Sequence, residues 1–131
     1  MDKKKILFID DEEALCKLVK LNLEISGEYG VTTAYSGREG MQKIKETDFN
    51  LVIMDFKMPG MNGETLVDNI TRVKPGLPLL IYSIYSDDFS TIDASIRKKV
   101  DGVIGKPDDR EQLQKAVKDI LDRKVKSDRI S

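Results

Sequence analysis

The sequence predicts an α/β protein, a five-stranded parallel sheet with helices on both faces. Two observations carry that prediction. Short apolar runs alternate five times with longer amphipathic segments along the chain. Strict strand–helix alternation implies a parallel sheet with right-handed crossovers. The apolar runs are also unbroken rather than alternating with polar residues, as strands buried on two sides require.

Each element has its own local signal. KILFID, residues 5–10, is apolar at successive positions and predicts the first strand. Residues 12–26 predict the first helix, because Ala14, Leu18, Leu21 and Ile25 recur at steps of four, three and four, and Gly27 stops it. That stripe is expected to face the core. Cys16 and Leu23, near Val19, then fall on the opposite, exposed side. VTTAY (31–35) is β-branched and aromatic, hence the second strand. SGREGMQKIKE (36–46) opens with a serine and has a glutamate three residues on, the capping-box pattern of a helix start. LVIMD (51–55) is the third strand, and residues 64–73 form a helix with Leu66, Ile70 and Val73 on one face. LPLLIYS (77–83) follows a Lys-Pro-Gly turn as the fourth strand. Residues 87–98 carry Phe89, Ile92 and Ile96 as a helical stripe, DGVIG (101–105) is the fifth strand, and residues 109–124 form the last helix around Leu113, Val117, Ile120 and Leu121. The final ten residues, DRKVKSDRIS, lose this periodicity and are expected to fray. One domain over 4–124 is expected, with 125–131 a tail or the start of a linker.

Composition excludes several chemistries. Lys plus Arg is 22 against 23 Asp plus Glu, a net charge of −1, which exerts no general pull on nucleic acid. The chain has no histidine, so Ser/His and Cys/His nucleophile pairs are absent and most zinc sites are excluded. The single cysteine rules out an internal disulfide and fits a reducing, cytoplasmic setting. No apolar run approaches the ~20 residues of a membrane helix. MDKKK followed by ILFI starts like a signal peptide, but the run is short and ends in DDEE.

In a parallel sheet the C-terminal ends of the strands share one rim, where ligands bind. That rim is expected to gather Asp10 and Asp11 from strand one, Asp55 from strand three, Ser83 from strand four and Lys106 from strand five. Strand two ends only in Tyr35 and Ser36. Adjacent carboxylates repel, and a divalent cation removes the conflict. Hard oxygen ligands with space for water and phosphate favour Mg²⁺. Lys106 would offer a point charge to phosphate oxygens and Ser83 a hydroxyl. With histidine absent and Cys16 on a helix, Asp55 is the best candidate nucleophile, since carboxylates accept phosphoryl groups as aspartyl-phosphates. Metal, lysine and serine would stabilise charge on the transferring oxygens.

Taken singly, each signal has a plainer explanation. Asp10 and Asp11 suit the start of a helix. Asp55 suits a turn before Pro59, Ser83 a strand end, and Lys106–Pro107 the background of surface lysines. The joint placement on one rim favours the shared site.

IDDE at 9–12, MDFKMPGMNG at 54–63, Ser83 and KP at 106–107 together resemble the receiver domain of two-component response regulators. The resemblance covers residues 4 to about 124. It implies a flavodoxin-like fold with strand order 2-1-3-4-5. It implies that Asp55 accepts phosphate from a histidine kinase or phosphotransfer protein. Asp11, Asp55 and the Lys57 backbone carbonyl would bind Mg²⁺ directly, with Asp10 acting through water. Ser83 and Lys106 would contact the phosphoryl oxygens, and the Lys106–Pro107 peptide would be cis. Such a domain acts as a switch rather than a turnover enzyme. It would serve an output protein or a C-terminal effector domain beyond this chain. The resemblance also admits a homodimer through the last two strand–helix units. Cys16 and Leu23 read either as scattered exposed residues or as a kinase docking patch on helix one.

The chain departs from the family pattern at two places. Ile84 follows the serine where a small residue is usual, and slow loss of phosphate is the expected consequence. Val103 stands three residues before the lysine, where an aromatic side chain usually couples to the hydroxyl, and Tyr85 is a candidate substitute. Two other functions remain in competition. A small Asp-nucleophile phosphatase is opposed by Lys57, where such enzymes carry an acid. A receiver-like module that binds without phosphorylation is opposed by the intact acids, serine and lysine.

Overall fold

The computed structural model describes residues 3–84, 93–106 and 110–130, with backbone alone at 61, 84, 106, 110 and 124–130. Five strands form one sheet: β1 (Lys4–Ile9), β2 (Tyr29–Ala34), β3 (Leu51–Met54), β4 (Leu79–Ile84) and β5 (Gly102–Lys106). The helices are α1 (Glu13–Glu24), α2 (Gly37–Glu46), α3 (Gly63–Val73), α4 (Ala94–Arg97) and α5 (Arg110–Ile130). The sheet order is β2-β1-β3-β4-β5 and every pairing is parallel. This is the doubly wound topology expected from the sequence. A two-residue antiparallel ribbon, Lys57–Met58 against Met61–Asn62, joins β3 to α3.

The unbroken apolar runs fill two cores, one on each face. Leu7, Ile9, Val52, Met54, Leu79 and Ile81 pack towards α2 and α3. Ile6, Phe8, Leu51, Ile53, Leu80 and Tyr82 pack towards α1 and α5. Successive side chains of a strand point to opposite faces, so each run supplies both layers. The Phe8 and Tyr82 rings meet across the second core, with centroids 6.2 Å apart.

Helix α1 corrects one expectation. Cys16, Val19 and Leu23 are buried, whereas Leu18, Leu21 and Ile25 are exposed. The helix carries two apolar stripes at helical spacing, and apolar counting alone does not choose between them. Its polar contacts do: Lys20 and Glu24 both reach β2, which turns the Cys16–Leu23 side onto the sheet. Cys16 and Leu23 therefore form no docking patch.

Other differences are local. Ser36 caps α2 by accepting the Glu39 amide at 3.0 Å, but the Glu39 carboxylate returns to the Tyr35 amide, one residue further out than a capping box. Val73 is partly exposed at the end of α3. Of the helix predicted over 87–98, α4 begins after Asp93, which accepts the Ser95 amide, and Ile96 is buried as expected. Phe89 and Ile92 lie outside the described residues. Helix α5 continues as backbone to Ile130, past the frayed tail and the boundary at 124 expected from the sequence. Lys, Arg and Asp-rich stretches lack an apolar stripe yet still propagate a helix, since lysine and arginine are good helix formers.

Candidate functional site

The first and third strands end on the same rim, one residue before their acids. The Asp10 amide donates to the Ala34 carbonyl and the Asp55 amide to the Ile9 carbonyl, each at 3.0 Å. These bonds extend the ladder past β1 and β3 and fix where both carboxylates start. Asp10, Asp11 and Asp55 each bring a carboxylate oxygen within 4.8 Å of the others. Asp10 is only 1% exposed and Asp55 8%, while Asp11 is open to solvent. Asp55 is thus seated within the rim and only slightly open to solvent.

Each buried acid is held. Asp10 Oδ1 accepts the Glu12 amide at 2.9 Å, just ahead of α1, whose N-cap residue is Glu12 and which has no side-chain cap, so Asp10 does not serve as the helix cap. The Cys16 thiol donates to the Asp10 carbonyl at 3.3 Å from below. Asp55 Oδ1 accepts the Ser83 hydroxyl at 2.8 Å and the Lys57 amide at 3.2 Å. Ser83 is fully buried, and its oxygen also accepts the Phe56 amide at 2.7 Å. One hydroxyl thereby ties β4 to the loop after β3.

That loop depends on two glycines. Gly60 has φ of +83°, a left-handed conformation that costs a side-chain-bearing residue and suits glycine. At Gly63 a Cβ would run into the Phe56 carbonyl and ring. The close approach lets Asn62 cap α3, accepting the Thr65 amide at 2.8 Å, directly beside the ribbon that carries Lys57.

The structure therefore brings together Asp10, Asp11, Asp55 and Ser83. Lys57 reaches the site through its backbone amide. Lys106 closes β5 opposite Ile84 in the register, which puts its backbone on the same rim. The side chains of Lys106 and Ile84 lie outside the described residues, as do Tyr85, Pro107 and the Lys106–Pro107 peptide. Val103 is half-buried and packs against the α2–α3 core. The sequence reading missed the Phe56 amide. Gly63, the first residue of α3, is the sequence signal for the close backbone approach to Phe56.

Three mutually close carboxylates, Asp10 buried, Asp55 largely covered and Asp11 exposed, are a donor set of hard oxygens that suits Mg²⁺. The repulsion among them disfavours the site without a counter-charge. Among the described residues this is the group of acids able to hold an ion together.

The family model of the response regulator receiver domain matches residues 6–118. The chain belongs to that family. Over 118 residues it is 34% identical to the transcriptional regulatory protein GlrR of Escherichia coli, covering 90% of this chain and 26% of that protein. Over 124 residues it is 31% identical to the response regulator ArlR of Staphylococcus aureus, covering 95% of this chain and 55% of that protein. The receiver thus spans about a quarter of one relative and about half of the other. A CheY-like receiver domain from Methanospirillum hungatei superposes with a TM-score of 0.84 at 29% identity, covering 96% of this chain and 99% of that one. The response regulator TrrA from Thermotoga maritima, solved in complex with Mg²⁺-BeF, superposes with a TM-score of 0.80 at 29% identity, covering 89% of this chain and 98% of that one. No described helix of the receiver is long and apolar enough to cross a membrane.

Proposed function

We propose that this receiver is a phosphoacceptor switch in which Asp55 takes a phosphoryl group from a histidine kinase or phosphotransfer protein. The observation that carries the reading is the Ser83–Asp55 hydrogen bond beside the Asp10–Asp11–Asp55 cluster. An Asp55 carboxylate oxygen attacks phosphorus, the bond from phosphorus to the donor's imidazole nitrogen breaks, and the imidazole leaves with the electron pair. The Ser83 hydroxyl and the Lys57 amide converge on Oδ1 and hold the carboxylate in one rotamer. Positioning of this kind and charge stabilisation account for most of phosphoryl-transfer catalysis.

Asp10, Asp11, Asp55 and the Lys57 carbonyl would hold Mg²⁺. The ion would supply positive charge against the acids and the phosphoryl oxygens. Ser83 and Lys106 contact the phosphoryl oxygens in this reading, and the β4–β5 rim carries the change outward. Ser83 links the acceptor to that rim, donating to Asp55 and accepting the amide of Phe56 next to it. The output is an effector domain or partner protein reached by the α4–β5–α5 face, the protein is cytoplasmic, and no substrate is turned over.

Acetyl phosphate with Mg²⁺ tests the reading. Intact-mass analysis is expected to show one added phosphoryl group on the wild type and none on Asp55→Asn. Addition to Asp55→Asn at the wild-type rate, or turnover of a generic phosphoester, rejects it.

A further inference from the structure

Strand β2 ends the sheet and pairs only with β1. Its other side presents backbone groups at alternate residues, Val31, Thr33 and then Tyr35 just beyond the strand. Such an edge is a template for strand addition unless it is covered. Residues 29–35, YGVTTAY, carry no charge and are rich in β-branched and aromatic side chains, the composition most open to pairing.

Both neighbouring helices reach over this edge with a lysine and a glutamate four residues apart. From α1, Lys20 Nζ donates to the Val31 carbonyl at 2.6 Å, and Glu24 Oε2 accepts the Val31 amide at 2.9 Å. From α2, Lys43 Nζ donates to the Thr33 carbonyl at 2.8 Å, and Glu39 Oε1 accepts the Tyr35 amide at 2.6 Å. Within each pair the charges also meet, at 3.0 Å for Lys20–Glu24 and 3.5 Å for Lys43–Glu39. Donor meets acceptor and acceptor meets donor at every contact, as a neighbouring strand would arrange them.

We propose that the Lys20–Glu24 and Lys43–Glu39 pairs act as a substitute strand that closes the β2 edge against pairing with a second copy of this chain. Exposed ion pairs of this spacing add little to stability by themselves. Their placement on four backbone groups of one edge gives them this other role. The two pairs come from opposite faces of the sheet, so between them they meet the Val31 amide and carbonyl, the Thr33 carbonyl and the Tyr35 amide.

Two measurements test the lock. In wild type, native-state hydrogen exchange is expected to find the Val31 and Tyr35 amides protected although they lie on an outer edge. Glu24→Ala should speed exchange at Val31, and Glu39→Ala at Tyr35, each by about tenfold, the effect of one lost hydrogen bond. The combined Lys20→Ala, Glu24→Ala, Glu39→Ala and Lys43→Ala variant should then associate to a higher mass than wild type in light scattering. It should gain an intermolecular β band in the infrared, and adding Thr33→Lys should reverse both. Fast exchange of both amides in wild type overturns the proposal and needs no variant to fold. So does a combined variant with the wild-type mass, or an association that Thr33→Lys leaves in place.

Discussion

The Ser83 hydroxyl spans two elements at once, donating to Asp55 Oδ1 at 2.8 Å and accepting the Phe56 amide at 2.7 Å. Ser83→Ala removes both bonds and leaves a buried amide without its acceptor. An unmade buried hydrogen bond costs about 1–3 kcal/mol. Urea unfolding should show that loss. Acetyl-phosphate labelling of the variant should slow by about tenfold or more, since a positioned donor at the reacting group is lost. Unchanged stability together with unchanged labelling would mean that the hydroxyl neither braces the loop nor serves the acid.

Asp10 lies almost wholly buried among acids yet keeps one oxygen on the Glu12 amide. Asp10→Asn preserves that acceptor and removes one of three close charges. In a chelating buffer the variant is expected to be more stable than wild type by about 1 kcal/mol or more, the repulsion between charges a few ångströms apart. That corresponds to a Tm rise of roughly 3–8 °C. Added Mg²⁺ should reverse the order, raising the wild-type Tm more than the variant's. Calorimetry with and without the ion reads both signs. A wild type indifferent to Mg²⁺ would contradict the metal reading.

Gly63 sets the distance between the ribbon and α3. A Cβ there collides with the Phe56 carbonyl, which belongs to backbone and cannot swing aside. Gly63→Ala is expected to destabilise by about 1–3 kcal/mol, the usual cost of overpacking. Because the shift falls on the loop that carries Lys57, Mg²⁺ affinity should fall as well. Gly60→Ala provides the contrast: a Cβ there meets nothing, but the left-handed φ strains it. Its cost should appear in stability and less in metal affinity.

The rim was legible because three of its groups follow apolar runs. An acid or serine that ends a buried strand has one direction to point, and strict alternation of strands and helices fixes which rim it is. The side of α1 was not legible. Ala14–Leu18–Leu21–Ile25 and Cys16–Val19–Leu23 are both apolar at helical spacing, and the choice rests on Lys20 and Glu24 finding β2, a contact between segments distant along the chain. The Glu39 contact with Tyr35 was hidden for a similar reason: spacing alone does not tell which amide a carboxylate reaches. A pair of variants checks the orientation. Leu23→Ala, at a site 1% exposed, should cost about 2–5 kcal/mol. Leu21→Ala, 65% exposed, should stay within about 0.5 kcal/mol. Consistent with the same orientation, the Cys16 thiol should resist a thiol reagent until the protein unfolds.

Glu24 links the β2 edge to pH. The Val31 amide, and then Lys20, hold its carboxyl below the usual value of 4.5 against a smaller opposing effect of burial. A folded-state pKa below the unfolded one means that the unfolded chain binds the extra proton. Stability from this group is therefore fully present above 4.5 and is lost as pH falls through the lowered folded value. Glu24→Gln keeps an oxygen for the Val31 amide but has no proton to take up. Unfolding free energy measured from pH 6 down to pH 3 should fall less steeply in the variant than in wild type, with the two curves parallel above pH 5. Parallel curves throughout would show that the carboxylate is not held by β2 in solution.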